Sequence, residues 1–292
     1  MYSEKEILLG DNPFFGIDHL SRERARQRME MLSEYAKITE VIEYVSELGV
    51  NGFVVSTHPQ LKDLIKYMKT NTNLLQKMNF YPILPYAQGY VARVTKKGMV
   101  GAMNYILSES TIREKMKIFF NGSVGFVRKD FKKLLQTFID VELLPLNIVK
   151  KKSIFLHDAI VDLAISLGMK KVIEIFSDHI KSQYGAEVGL VTKNFPRLIK
   201  TLKDWNIDLP IIMTSFNPVG YQMNPSKEDC ERCLLENDIK VIAMNVLAGG
   251  FLKPADVVEY ISKLKLSSIV IGMSTKPHAS ETIMTFKKRS TK

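Results

Sequence analysis

Short apolar runs rich in β-branched residues alternate along this chain with longer stretches whose apolar positions recur every three or four residues. The first pattern marks a strand buried on both faces, and the second a helix that turns one face toward a core. Strands are expected at Ile7 to Gly10, Gly52 to Thr57, Phe80 to Pro85, Ser153 to His157, Glu187 to Thr192, Ile211 to Phe216, Val241 to Val246 and Ser268 to Gly272. Between them, ITEVIEYVSELG (a helix starting near Thr39), FPRLIKTLKDWN and PADVVEYISKLK carry charges opposite their apolar stripes. Eight such strands with intervening helices predict an α/β protein of parallel βα units. These units close into a single (β/α)8 TIM barrel over residues 1–292, with its site at the C-terminal strand ends.

Two regions exceed the plan. After the first strand, DNPFFGIDHL leads into SRERARQRMEMLSEYA, which predicts an extra helix before the regular one. Between the third and fourth strands, residues 87–152 are about twice as long as a βα connection requires. Helical patches in YVARVTKKGMVGAMNYIL, TIREKMKIFF and DFKKLLQTFIDVEL, broken by Gly98, Gly101, Gly122 and Gly125, predict an extended helical insertion within the one domain. It could cap the barrel mouth or pack against its side, and the pattern favours neither.

Composition narrows the class. Apolar residues are 46% of the chain and charged residues 25%, which excludes a disordered, fibrous or disulfide-scaffold protein. MYSEKEILL lacks the features of a signal peptide, and Asn245 and the glycines after it interrupt the apolar stretch VIAMNVLAGGFL, so a soluble, cytoplasmic protein away from membranes is expected. Cys230 and Cys233 form a CxxC inside a helix capped by Ser226; with no second pair to complete a zinc site, they read as a helix pair, partly core and partly surface.

The formal charge of +10 points to anionic partners, whether a phosphorylated metabolite, a nucleotide cofactor, nucleic acid or a membrane surface, and composition alone does not choose among them. Nucleic acid is not expected, because the basic runs Lys150 to Lys152, Lys170 with Lys171 and KKRSTK are scattered and lack an aromatic-basic signature.

Polar residues gather at the ends of the predicted strands. Asp11 and Asn12 follow the first, Ser56 and His58 the second, His157 and Asp158 the fourth, and Lys193 and Asn194 the fifth. Asn217 follows the sixth, Asn245 the seventh, and Ser274 with Lys276 the eighth. A barrel would bring such side chains to one mouth. His157 and His58 with Asp11 are the catalytic candidates, since imidazole titrates near neutrality and a carboxylate, Asp11 or Asp158, can hold its tautomer. The same set could ligate a divalent metal, although no His-x-His spacing supports it. His19 lies in a predicted loop, and His179 and His278 in helices. Gly249, Gly250, Gly272, Ser274, Thr275 and Lys276, after the last two strands, have the composition of a phosphate loop, which a plain turn and helix cap would share.

Several segments together resemble the aldo/keto reductases: FLHDA, GLVTKNF, SFNP, VIAMNVLAGGFL and IVIGMSTKPHASETI, in order and at fitting intervals. The resemblance covers most of the chain and implies an oxidoreductase fold. It also implies NADPH as cofactor, held by Lys193, Asn194, Asn217, Asn245, Gly250, Gly272, Ser274 and Lys276. That family's reductases use an Asp and a Tyr just after the second strand, a Lys on the third and a His on the fourth. Here GFVVSTHPQL places Ser56 at the Asp position with no Tyr following, NFYPILPY has no Lys, and only His157 matches. A carbonyl reduction needs a proton donor of tuned acidity, so the departure points away from conventional reduction. Three functions follow: an enzyme using non-standard acid/base chemistry on a small anionic or phosphorylated substrate, an NADP(H)-dependent oxidoreductase with altered catalytic residues, and a non-catalytic binding barrel.

Overall fold

A computed structural model describes residues 5–16, 23, 26, 34–85 and 131–290. Eight parallel strands close on themselves in sequence order. They are β1 (Glu6–Gly10), β2 (Gly52–Ser56), β3 (Asn79–Leu84), β4 (Ser153–Leu156), β5 (Glu187–Val191), β6 (Ile211–Ser215), β7 (Val241–Met244) and β8 (Ser268–Gly272). Six lie within their expected bounds, while β1 and β3 each begin one residue earlier, at the polar Glu6 and Asn79; a doubly buried strand is apolar at most residues, and β4, with sequence SIFL, is buried throughout. Closure comes from β1 against β8 in a continuous register from Glu6↔Ser268 to Gly10↔Gly272.

Around the barrel run α1 (Tyr35–Glu47), α2 (Leu61–Met68), α3 (Thr72–Lys77), α4 (Phe131–Leu143), α5 (Asp158–Ser166), α6 (Lys170–His179), α7 (Phe195–Asp204), α8 (Lys227–Glu236), α9 (Pro254–Lys263) and α10 (Lys276–Ser290). Helix α1 begins at Tyr35, a turn before the expected Thr39. Its apolar stripe starts at Ile38, so the added turn carries little of the signal that periodicity reads. Glu23 and Arg26 are helical and form an exposed ion pair at 2.9 Å; the rest of the expected extra helix, and His19, lie outside the described residues. The same holds for residues 87–130 of the insertion, while α4 matches its last helical patch.

Side chains divide into two cores. Leu8, Val54, Tyr81, Phe155, Val191, Ile211, Met213 and Ile242 fill the inside of the barrel, and a larger shell joins the outer strand faces to the helices. Gly189 is dictated by this packing. A Cβ there would lie 2.2 Å from the Phe155 ring, so the glycine makes room for that ring in the inner core. Ion pairs lie at the N-terminal end of the barrel, Lys240–Glu187 at 2.8 Å and Lys152–Glu6 at 3.6 Å. Cys230 and Cys233 both face the core of α8 rather than dividing between core and surface, and burial pushes the Cys230 thiol up to about 12, which leaves it unreactive. Ser226 caps that helix, accepting from Asp229 N at 3.0 Å. No helix among the described residues is long and apolar enough to cross a membrane.

Candidate functional site at the C-terminal mouth

The end of β1 delivers Asp11, which is almost fully buried. Its Oδ2 accepts from both the amide (2.6 Å) and the hydroxyl (2.7 Å) of Ser56, at the end of β2. Burial raises the Asp11 carboxyl to about 6, although the two Ser56 hydrogen bonds pull the other way. A carboxyl group is therefore present at the border of β1 and β2 even though β2 itself ends in serine.

His58 stacks on Phe15, with ring centroids 4.5 Å apart and planes 12° from parallel, and its Nδ1 accepts from Gln60 N at 3.2 Å. Between Ser56 and His58, the hydroxyl of Thr57 donates to Glu142 Oε2, a buried carboxylate reaching the mouth from α4. Sequence reasoning missed Glu142. The available signal was a carboxylate between Val141 and Leu143 on the buried face of its helix.

His157 occupies the N-cap of α5, immediately after β4. Its Nδ1 lies 2.6 Å from Asp158 Oδ1 and 3.1 Å from Ala159 N. One ring nitrogen cannot donate to the first and accept from the second. Ala159 N also lies 2.9 Å from Asp158 Oδ1, so the carboxylate receives both donors and His157 carries its proton on Nδ1. Nε2 is then the basic nitrogen of the neutral ring, and it has no partner among the described residues. Asp158 is further held by Lys193 Nζ, 3.3 Å from Oδ2. Burial opposes ionisation of Asp158, but the hydrogen bond and charge of His157 and the charge of Lys193 prevail and bring it down to about 2. The expected alternation of Asp11 and Asp158 as the partner of His157 resolves to Asp158.

The remaining candidates fall into two groups. Asn217 is fully buried, and its amide clamps a loop, accepting from Tyr221 N and donating to Tyr221 O, both at 2.8 Å. Asn245 adopts φ +54° and donates to Ser215 Oγ (2.9 Å) and Gln222 Oε1 (3.3 Å). Gly272 abuts Pro13, whose Cγ would lie 2.8 Å from a Cβ at that position. Lys276 opens α10 and pairs with Glu40 of α1 at 3.4 Å. Thr275 caps α10 through His278 N at 3.3 Å. By contrast Lys193 is exposed, Ser274 is half-buried, and Gly250 has φ +95° with open space around it. Asn194 caps α7 by accepting from Arg197 N, and its own amide nitrogen has no partner among the described residues.

His179 sits in α6, where its Nε2 meets Asp140 Oδ1 at 2.7 Å and Tyr184 donates to the same oxygen at 2.6 Å; this buried cluster joins α6 to α4. Among the described residues no group of three His, Cys, Asp or Glu side chains is arranged to hold a metal ion.

No protein-family model and no curated protein matches the chain. Solved structures do. A protein from Pseudomonas aeruginosa described as an aldo-keto reductase aligns over 98% of this chain and 91% of its own, with a TM-score of 0.62 and 12% identity. The aldo-keto reductase AKR11C1 from Bacillus halodurans, in its holo form, aligns over 96% and 86%, with a TM-score of 0.56 and 13% identity. An aldo/keto reductase from Brucella melitensis aligns over 96% and 88%, with a TM-score of 0.53 and 8% identity. The chain therefore has the aldo/keto-reductase-like (β/α)8 barrel fold, with Ser56 at the end of β2 and no lysine on β3.

Proposed function

We propose that this protein is an enzyme acting on a small anionic or phosphorylated substrate at the C-terminal mouth of the barrel, moving a proton through His157. The observation that carries the reading is the arrangement around that ring: Asp158 holds Nδ1–H at 2.6 Å while Nε2 has no partner among the described residues. A carboxylate that fixes the tautomer and steadies the imidazolium formed on proton uptake is what a general base requires. Asp11, with its carboxyl raised to about 6, supplies a second proton-carrying group of different acidity. His58, stacked on Phe15, borders the same strand ends and supplies the second imidazole of the acid/base set.

Deuterium uptake in heavy water tests this directly. Small phosphorylated and carboxylated aldehydes and ketones are incubated with the protein, and exchange beside the carbonyl is read by NMR. Exchange that is lost in His157→Asn supports the reading; exchange that is absent in the native protein, or undiminished in the variant, overturns it.

The fold favours a second reading, an oxidoreductase using NADPH with altered catalytic residues, since solved structures from Pseudomonas aeruginosa and Bacillus halodurans that share the barrel across nearly the whole chain are described as aldo-keto reductases. Four of the eight residues expected to hold that cofactor are engaged within the fold, while Lys193, Asn194, Gly250 and Ser274 remain at least partly exposed. The amides of Asn217 and Asn245 are engaged inside the fold, Pro13 fills the space at Gly272, and Lys276 is paired with Glu40. A fluorescence titration with NADPH separates the readings: saturable binding below about 1 mM favours the oxidoreductase, and none at that concentration ends it.

A further inference from the structure

Beside the mouth, and sharing Lys193 and Asn194 with it, a groove of about 450 Å³ lies between α5, α7 and the segment leading into α8, lined also by Asp162, Ser166, Arg197 and Asn224, with Ile165 and Pro225 as its apolar contribution. Its volume falls in the range of small-ligand sites. Two cations face one carboxylate here, and that carboxylate is already occupied. Asp162 Oδ1 accepts from Thr192 Oγ1 at 2.5 Å and Oδ2 from Lys193 N at 3.1 Å, and burial raises its pKa, which weakens its hold on a proton-free state.

The donors are the opposite case. Arg197 has no partner for its guanidinium among the described residues, nor have the Ser166 hydroxyl and the Asn194 amide nitrogen. Asn224 donates to Lys193 O at 3.0 Å, which ties the loop before α8 to the end of β5 and sets one wall of the groove. An unpaired guanidinium beside an ammonium, a hydroxyl and the Asn194 amide is a donor-rich set, and its complement is a group with several acceptor oxygens and negative charge.

We propose that this groove is a binding site for the phosphate group of a small metabolite, or for free phosphate, with Arg197 as its principal anchor. The site stands apart from the phosphate-loop composition after β7 and β8, where Lys276 is paired and Gly272 is packed. It also stands apart from the reaction proposed at the mouth, since binding is read without turnover. Lys193 joins the two regions, because it lines the groove while its Nζ lies 3.3 Å from Asp158. An anion in the groove competes with Asp158 for that ammonium, so occupancy is expected to shift the His157 ring signals.

Calorimetric titration of the full chain with inorganic phosphate, and separately with glycerol 3-phosphate, tests the site. Binding at millimolar concentration or tighter is expected, weakened roughly tenfold or more in Arg197→Ala and largely retained in Arg197→Lys. Arg197 is exposed on α7, so its removal should leave the melting temperature unchanged. Tighter binding of glycerol 3-phosphate than of inorganic phosphate supports the proposal and identifies a phosphorylated metabolite as the occupant; equal binding supports it and identifies free phosphate. No heat of binding with either probe up to about 10 mM, or equal affinity in Arg197→Ala, overturns it.

Discussion

The ends of β4 and β5 and the ends of β6 to β8 carry similar polar residues, yet the fold uses them differently. On the second side, Asn217 staples its loop, Asn245 bridges Ser215 and Gln222, Gly272 admits Pro13, and Lys276 holds α10 to α1. On the first side, Asp158 orients His157 and draws in Lys193, while His157 Nε2 and the Arg197 guanidinium are left without partners among the described residues. Polar groups at a barrel mouth thus separate into those satisfied by the chain itself and those whose hydrogen-bonding capacity is still available. Only the second kind can recognise a ligand without first breaking something in the fold.

This contrast can be broken by substitution, and the largest effect should come from the available side. His157→Asn keeps an N-cap residue on α5 but removes the base, so turnover should fall by about 10²–10⁴-fold with little change in melting temperature. Equal loss of folding and activity would place His157 with the structural group. On the satisfied side, Asn217→Ala strands two backbone groups of Tyr221 and should cost about 2–3 kcal/mol in a denaturant titration, while leaving the His157 ring signals in place.

Asp11 lies between the two cases, being bonded to Ser56 yet acidic near neutrality. Its carboxyl ionises near 6 in the folded protein and near 4 in an unfolded chain. The folded state therefore holds a proton that the unfolded state has released between those values, and stability falls as pH rises through this window, by about 3 kcal/mol in all. Asp11→Asn should be more stable than the native protein by about that amount at pH 8 and equal to it below about pH 4. A difference that does not change with pH would show that burial of the charge is not what separates the two forms. The smallest effect belongs to Lys276→Ala, which loses a half-exposed ion pair with Glu40 and should move stability by less than about 0.5 kcal/mol.

How much of this was readable in the sequence follows from the range of the interactions. Strands such as VIAM announce themselves because burial on both faces disfavours polar residues along the run, and the order of eight such runs leads to the barrel. The strand-end residues were legible for the same reason, as polar positions just beyond an apolar stretch. Their division into satisfied and available groups was not, because it depends on partners far away in the chain. Ser56 meets Asp11 across 45 residues, and Thr57 meets Glu142 across 85. Asp158 was the exception: lying next to His157 in sequence, it could be weighed as that histidine's partner from the start.

Proton transfer at the mouth depends on the protonation of one ring, that of His157. Long-range ¹⁵N–¹H correlation spectra of the imidazole nitrogens, recorded on the native protein and on Asp158→Asn at a pH where the ring is neutral, distinguish Nδ1–H from Nε2–H without any substrate. The Nδ1–H form is expected in the native protein, with a shift toward Nε2–H when Asp158 loses its charge. A native His157 that carries its proton on Nε2 would contradict the account, because the nitrogen assigned as the base would already be occupied.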